Sequence, residues 1–236
     1  MKRAATAHEP RLARVAAMVA EPARARMLAH LLDGAHASAS ELALAGGVAA
    51  STASAHLAQL VDAGLLACEP RGRHRYFRLA DGEVAHALQS LALVAERGTH
   101  ERAWQHPDRA PLREARCCYG HLGGRLGVAL HDRLVHGGAL RPGAQGLELT
   151  DTGRAWLGAL GLREPLVPPA QRLAYGCLDW SERRDHLAGP LARALLAHFL
   201  ARGWLRRAGA EARGGHRALA LTPTGRRELL PQLTIE

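Results

Sequence analysis

Residues 51–66, STASAHLAQLVDAGLL, begin with small hydroxyl side chains and end as an aliphatic helix, and the arginine-rich run ACEPRGRHRYFRLA follows without a break. Leu57, Leu60, Val61 and Leu65 fall on one face at helical spacing, the face a core would bury. Ser51, Thr52, Ser54 and His56 come at the other end, where hydrogen-bonding groups can stay outside. A helix polar at its start and apolar at its finish suits entry into a DNA major groove, first residues on the duplex and the rest in the protein. LLACEP and RYFRLA read as two strands around Arg71-Gly72-Arg73. That hairpin carries Arg71, Arg73, His74 and Arg75 within reach of flanking phosphates, or of the minor groove from its tip. Taken singly, each element also reads as a capped amphipathic helix or a solvated hairpin. The ordered set is what points to nucleic acid.

Working outward, RLARVAAMVA reads as a short helix ending near Glu21-Pro22, where proline opens the next helix, PARARMLAHLLDG, which stops at Gly34. SASELALAGGV is a third helix, capped by Ser38 or Ser40 and ended by Gly46-Gly47. Beyond the hairpin, DGEVAHALQSLALVAERG is a long amphipathic helix with Asp81 as its cap.

ARARMLAHLL, SELALAGGVAASTASAHLAQLVDAGLL and RGRHRYFRL together resemble the winged-helix core of the ArsR family of bacterial repressors, over residues 10–98. The resemblance implies a homodimer formed through the first and last helices of this core. It also implies repression by binding a dyad-symmetric operator, with release when a small effector binds. It places Ser51, Thr52, Ser54 and His56 in the recognition helix and Arg73 and Arg75 in the wing. Ala49 and Ala50 occupy positions that are often polar in relatives. SELALAGGV lacks the cysteines of the founding members' thiolate metal motif. Glu83 and His86 stand three apart on the last helix, but the rest of the dimer-interface metal pattern is missing. Neither inherited metal site is expected.

The formal charge of +9 favours a polyanionic partner. It is not concentrated where the groove-entering helix lies: residues 1–100 contribute +2 and the remainder +7. No apolar run is long enough to span a bilayer, and Arg11, Arg14, Glu21, Arg24 and Arg26 interrupt any leader-like core. A cytoplasmic protein with no membrane association is expected. Its four cysteines, Cys68, Cys117, Cys118 and Cys177, are too few for a disulfide scaffold and are expected to be reduced.

Residues 101–114 read as a linker, and beyond them the chain repeats itself. HLGGRLGVALHDRLVHGGAL from His121 aligns without a gap to HLAGPLARALLAHFLARGWL from His186. LELTDTGRAWL from Leu147 matches LALTPTGRREL from Leu219, and GLREPLVPPAQ separates the copies. The expected fold is mainly α with small β-hairpin wings. Residues 1–100 form a winged helix-turn-helix for DNA binding and dimerisation. Residues 115–236 form a sensor domain of two helix-plus-wing-like repeats, about 115–161 and 173–231.

ARCCYGHLGG places Cys118 and His121 three apart, on one face if a helix begins early enough, and AYGCLDWSERRDHLAG places Cys177 before His186. The histidines are equivalent in the alignment, whereas the cysteines stand near equivalent positions without coinciding. Two thiolates and two imidazoles brought together by pseudo-symmetry suit Zn(II) or another thiophilic metal or metalloid. Several alternatives stay open. Cys117, Cys118 and Cys177 could capture a thiophilic ion or electrophile, or sense an oxidant near Arg116. An organic ligand could sit between the repeats, walled by Trp180 and Trp204, or all these residues could simply be core. Arg206, Arg207, Arg213 and Arg217 suit phosphate contact by the second repeat. A competing class is a thiol-dependent enzyme using Cys117 or Cys118 with His121, although no base-orienting acid is evident. A protein-binding winged helix is a third class.

Overall fold

The computed structural model describes residues 9–72, 74–99, 101–165, 167–168, 171–209 and 216–233. It divides into two units, Met1–Ala85 and His86–Glu236. Among the described residues, no helix is long and apolar enough to cross a membrane.

The first unit begins with α1 (Glu9–Ala20) and α2 (Pro22–His30). Glu21 caps α2 by accepting a hydrogen bond from the Arg24 amide at 2.7 Å, with proline at the first helical position. β1 (Ala37–Ser38) leads into α3 (Ala39–Gly46), then α4 (Ala50–Asp62), β2 (Leu66–Arg71) and β3 (His74–Leu79). A reciprocal capping box starts α3: the Glu41 amide donates to Ser38 Oγ and the Ser38 amide to the Glu41 carboxylate. Gly46 lets α3 lie close on α2, since a Cβ there would meet Met27 Cε at 2.7 Å. The three strands pair antiparallel in the order β1-β3-β2. Met27, Leu28, Leu31, Leu42, Leu57, Leu60, Phe77 and Leu79 are buried, so the apolar end of α4 faces this unit's core and its polar end does not.

α5 (Gly82–Ala95) starts in the first unit and runs on into the second. Asp81 Oδ1 accepts hydrogen bonds from the Glu83 and Val84 amides at its start. Residues 101–114 hold two short helices, α6 (Glu101–Trp104) and α7 (Ala110–Glu114).

The rest of the second unit shows one element order twice. β4 (Arg116–Cys118), β5 (His121–Gly123), α8 (Arg125–His136), β6 (Leu140–Gly143), β7 (Gly146–Leu149) and α9 (Asp151–Ala159) come first. β8 (Tyr175–Leu178), β9 (Asp185–Ala188), α10 (Pro190–Ala201), β10 (Leu205–Arg207), β11 (Leu219–Leu221) and α11 (Pro223–Glu228) follow, closed by α12 (Leu230–Leu233). The two stretches exchange partners: α8 packs on β9 and α10 on β5. The Leu147 amide donates to the Ala174 carbonyl at 2.8 Å, and the aligned Leu219 amide to the Ala115 carbonyl at 2.9 Å. Thr150 and Thr222 cap α9 and α11 in the same way, each accepting from the amide of a glycine three residues on.

Residues from His121 onward were expected to be helical, yet the helix begins only at Arg125. Ahead of it, Arg116–Gly123 form a hairpin. Its two-residue turn places Tyr119 at φ 50° and Gly120 at φ 87°, the left-handed pair a tight hairpin needs. Gly124, at φ 82°, then makes the corner into α8, where a Cβ would come within 2.6 Å of the Arg113 carbonyl.

Candidate functional site

Two polar sites stand out, one on the surface of the first unit and one sealed inside the second. On α4, Ser51, Thr52 and Ser54 are exposed, and Ala53, Leu57 and Leu60 are buried. The helix starts after Ala49 without any side-chain cap, so its first amides keep their donor capacity and the positive end of the helix dipole is open. Ser54 Oγ donates to the Ala50 carbonyl at 2.9 Å. His56 is turned aside: its ring lies 3.6 Å from Glu21 and 3.4 Å from an Arg24 nitrogen, with the side chain only 16% exposed. A residue two positions beyond Ser54 on a 3.6-residue helix points well away from it, which is why His56 meets α2.

Arg24 is a positioning residue that the sequence reading did not single out. Its guanidinium donates to the Ala17 and Met18 carbonyls at the end of α1 and to Gln59 Oε1 of α4. Arg14 adds an exposed ion pair to Asp62 at 2.9 Å. The second half of α4 is thus held from α1 and α2. On the hairpin, Arg71 and Arg75 are exposed, their guanidinium groups over Tyr76 and Phe77. Arg73, expected at the tip, lies outside the described residues. At the hairpin's foot Glu69 takes Arg78 at 2.8 Å, His36 at 3.2 Å and Arg71 at 3.3 Å. Those three partners pull its carboxyl down to about 2, Arg78 foremost.

In the second unit, Cys118 and His121 are register partners across β4-β5, as are Cys177 and His186 across β8-β9. Directly opposed residues of an antiparallel pair share a face, so each hairpin presents one thiol and one imidazole together. One donor atom from each of the four lies within 4.8 Å of all the others, and all four residues are buried. The expectation of a shared helix face is therefore corrected, because the three-residue spacing spans a tight turn. The cysteines do hold equivalent register positions. Their offset in the alignment comes from the longer Asp179–Arg184 loop of the second hairpin.

Cys117 does not join them. Strand alternation sends it to the opposite face, into the core with Leu122, Leu126 and Leu187. A vicinal Cys117-Cys118 trap is thereby corrected, since adjacent strand residues cannot face one ion. Cys68 sits apart in the first unit, 3.4 Å from Arg75 Nε. Trp204 stacks on Phe199 in the core, and Trp180 lies under the Arg116 guanidinium at 4.3 Å. Among the loop arginines, Arg207 and Arg217 reach the Cys117 sulfur and carbonyl, Arg206 is exposed, and Arg213 lies outside the described residues.

A buried charged shell surrounds the four donors, and Asp179 at its centre went unnoticed in the sequence. Its Oδ2 lies 2.7 Å from Arg116 and 3.0 Å from His186 Nδ1, and accepts the Gly124 amide at 2.8 Å. Its Oδ1 accepts from the Ser181 hydroxyl and the Ser181 and Glu182 amides. Arg116, wholly buried, also donates to Ser181 Oγ and the Leu112 carbonyl. From α5, Gln89 Nε2 donates to Cys118 Sγ at 3.0 Å. Burial works to raise the Asp179 carboxyl, but the bond to His186 and the Arg116 charge win and hold it well below the carboxylate range. A hydrogen bond from Cys177 draws the Cys118 thiol well below its ordinary value, against burial and aided by both imidazoles. The same bond pushes Cys177 up, with burial adding. Burial pulls His121 down to about 4, whereas at His186 the Cys118 and Asp179 charges overcome burial and lift it to about 9.

Residues 19–69 match the family model of a helix-turn-helix domain, and the whole match falls within the stretch that resembles the ArsR family. YdfF of Bacillus subtilis, an uncharacterized HTH-type transcriptional regulator, is 36% identical over 197 residues, spanning 83% of this chain and 87% of YdfF. The chain belongs to the HTH-type transcriptional regulators. Within that family, CmtR of Mycobacterium tuberculosis is 38% identical over 86 residues, or 36% of this regulator and 72% of CmtR. The homodimeric winged helix-turn-helix DNA-binding domain of Mb0332 from Mycobacterium bovis is 26% identical with a TM-score of 0.37, covering 41% of this chain and 94% of that one. The protein is a DNA-binding transcriptional regulator.

Proposed function

We propose that this regulator is an ArsR-type repressor that binds a dyad-symmetric operator in double-stranded DNA as a homodimer and is governed by its second unit. Acting on DNA, it works in the cytoplasm. The observation that carries the reading is the uncapped, hydroxyl-bearing start of α4. Its open amides and Ser51, Thr52 and Ser54 suit phosphates and base edges, while Leu57 and Leu60 anchor the helix. Arg71 and Arg75 of the wing, with Arg73 between them in sequence, suit the flanking backbone.

Dimerisation is supported by apolar side chains without cover. Leu12 and Val15 are exposed three apart on α1, and Leu91 and Val94 three apart on α5, the helices the ArsR resemblance implies at the interface. The second unit, with the same element order twice and exchanged packing, reads as a duplicated sensor domain. A thiol enzyme is disfavoured, because Cys117 and Cys118 are 0% and 1% exposed.

The test is binding of the full chain to its own promoter DNA across a salt series. Loss of one phosphate contact in Arg75→Ala should flatten the log–log salt slope by about 1. An Arg75→Ala protein with unchanged slope and affinity would remove the wing from the interface.

A further inference from the structure

We propose that Cys118, His121, Cys177 and His186 form a closed tetrahedral Zn(II) site that ties together the two hairpins of the second unit. The proposal makes no use of DNA binding, so the two readings can fail separately. Its first support is the donor set. Two sulfurs and two imidazole nitrogens are the ligands of structural zinc sites, and the borderline-soft ion matches that mixture. A tetrahedron with Zn–S near 2.3 Å and Zn–N near 2.0 Å has edges of roughly 3.3–3.8 Å. Donor atoms already within 4.8 Å of one another need to move by only about an ångström of side-chain rotation to reach it.

The second support is independent of spacing. Nε2 of His186 and Nδ1 of His121 are buried without a hydrogen-bond partner among the described residues. Buried polar nitrogens are rarely left so, and here both belong to rings packed 5.1 Å apart beside two sulfurs. The outer groups are arranged as a metal site requires. Asp179 Oδ2 stands 3.0 Å from His186 Nδ1, where an outer carboxylate would hold the ring of a ligand that binds through Nε2. Asp179 is itself clamped by Arg116, Ser181 and the Gly124 amide. Gln89 donates to Cys118 Sγ, the usual support for a ligating thiolate.

The alternation of Cys117 and Cys118 adds a third point, since only the inward-facing member of the pair stands with the histidines. Binding leaves the proton account balanced. Each cysteine binds as a thiolate and each histidine through a ring nitrogen that carries no proton, so any proton those four atoms hold beforehand is released to solvent on binding. With four protein ligands and all of them buried, the ion has no open position, which makes it a clasp of the fold and not a catalytic centre.

The experiment uses the full chain, stripped with a chelator under reducing conditions and reloaded with Zn(II) or Co(II). Zn(II) should bind at about one ion per chain, and Co(II) should give intense tetrahedral ligand-field bands with thiolate charge transfer. That spectrum on the wild type needs no variant to fold. Cys118→Ser and Cys177→Ser should each abolish the thiolate-to-cobalt spectrum or shift it, whereas Cys68→Ser and Cys117→Ala should leave it unchanged. Asp179→Asn should keep the stoichiometry with affinity about 10–100-fold weaker. A weak octahedral Co(II) spectrum would overturn the proposal, as would Zn(II) binding indifferent to Cys118→Ser and Cys177→Ser. A Cys118–Cys177 disulfide whose reduction still confers no metal binding would overturn it equally.

Discussion

The two units are assembled from the same parts, short helices and antiparallel hairpins, and use their polar residues in opposite ways. In the first, the hairpin carries Arg71 and Arg75 outward, and α4 leaves its hydroxyl end uncapped and exposed. In the second, the hairpins β4-β5 and β8-β9 turn Cys118, His121, Cys177 and His186 inward and seal them under Arg116 and Asp179. An exposed polar residue is stable as it stands and is free for a partner that arrives later. A buried one needs its partner within the fold. The contrast separates a polar surface open to a partner from a polar interior that the fold itself must satisfy.

The sharpest way to break the contrast is to remove one half of the sealed charge pair. Arg116→Met leaves the buried Asp179 carboxylate without its arginine partner, with only His186 facing it as a cation. A loss of about 3–5 kcal/mol in denaturant-induced unfolding is expected. The double variant with Asp179→Leu should lose less than the two single changes together. Next comes the anchoring half of α4. Leu57→Ala, at a buried position, should destabilise the first unit by about 2–5 kcal/mol. Ser51→Ala, on the same helix but exposed, should change stability by less than about 0.5 kcal/mol and weaken operator binding instead. Equal effects of the two on unfolding would erase the distinction between anchor and contact. Leu91→Glu places a charge on the uncovered face of α5, and sedimentation should then show a shift from dimer to monomer.

The smallest expected effect concerns pH. Glu69 titrates near 2 in the fold against an ordinary 4.5, Arg78, His36 and Arg71 being the cause. Its folded value lies below its unfolded one, so its contribution to stability is full above about 4.5 and is lost as pH falls toward 2. Being solvent-accessible, the cluster should give a shallow slope, and Glu69→Gln should flatten the stability profile across that acid window alone.

The first unit was largely legible because its signals are local. The serine-headed helix with leucines at helical spacing, the serine cap of α3 and the Asp81 cap all act within a few residues. The family match over residues 19–69 falls on that same stretch. What escaped there were long-range ties such as Arg24 to Gln59, and the turning of His56 onto Glu21. In the second unit the sequence indicated which cysteines and histidines to watch, but not their geometry. A Cys-x-x-His spacing fits a helix face as well as a two-residue hairpin turn, and only the left-handed Tyr119-Gly120 pair decides between them. The equivalence of the cysteines was hidden by unequal loops, and Asp179 by lying within the longer one. Cys117 and Cys118 looked like a pair because adjacency in sequence says nothing of faces until the segment is known to be a strand.

The most direct measurement is fluorescence anisotropy of the full chain with its promoter duplex and a scrambled duplex of equal length, over a range of salt. The account predicts a preference for the promoter of about 10³-fold or more, with log affinity falling linearly as log salt rises. Equal affinity for the two duplexes at every salt concentration, or affinity that ignores salt, would contradict it.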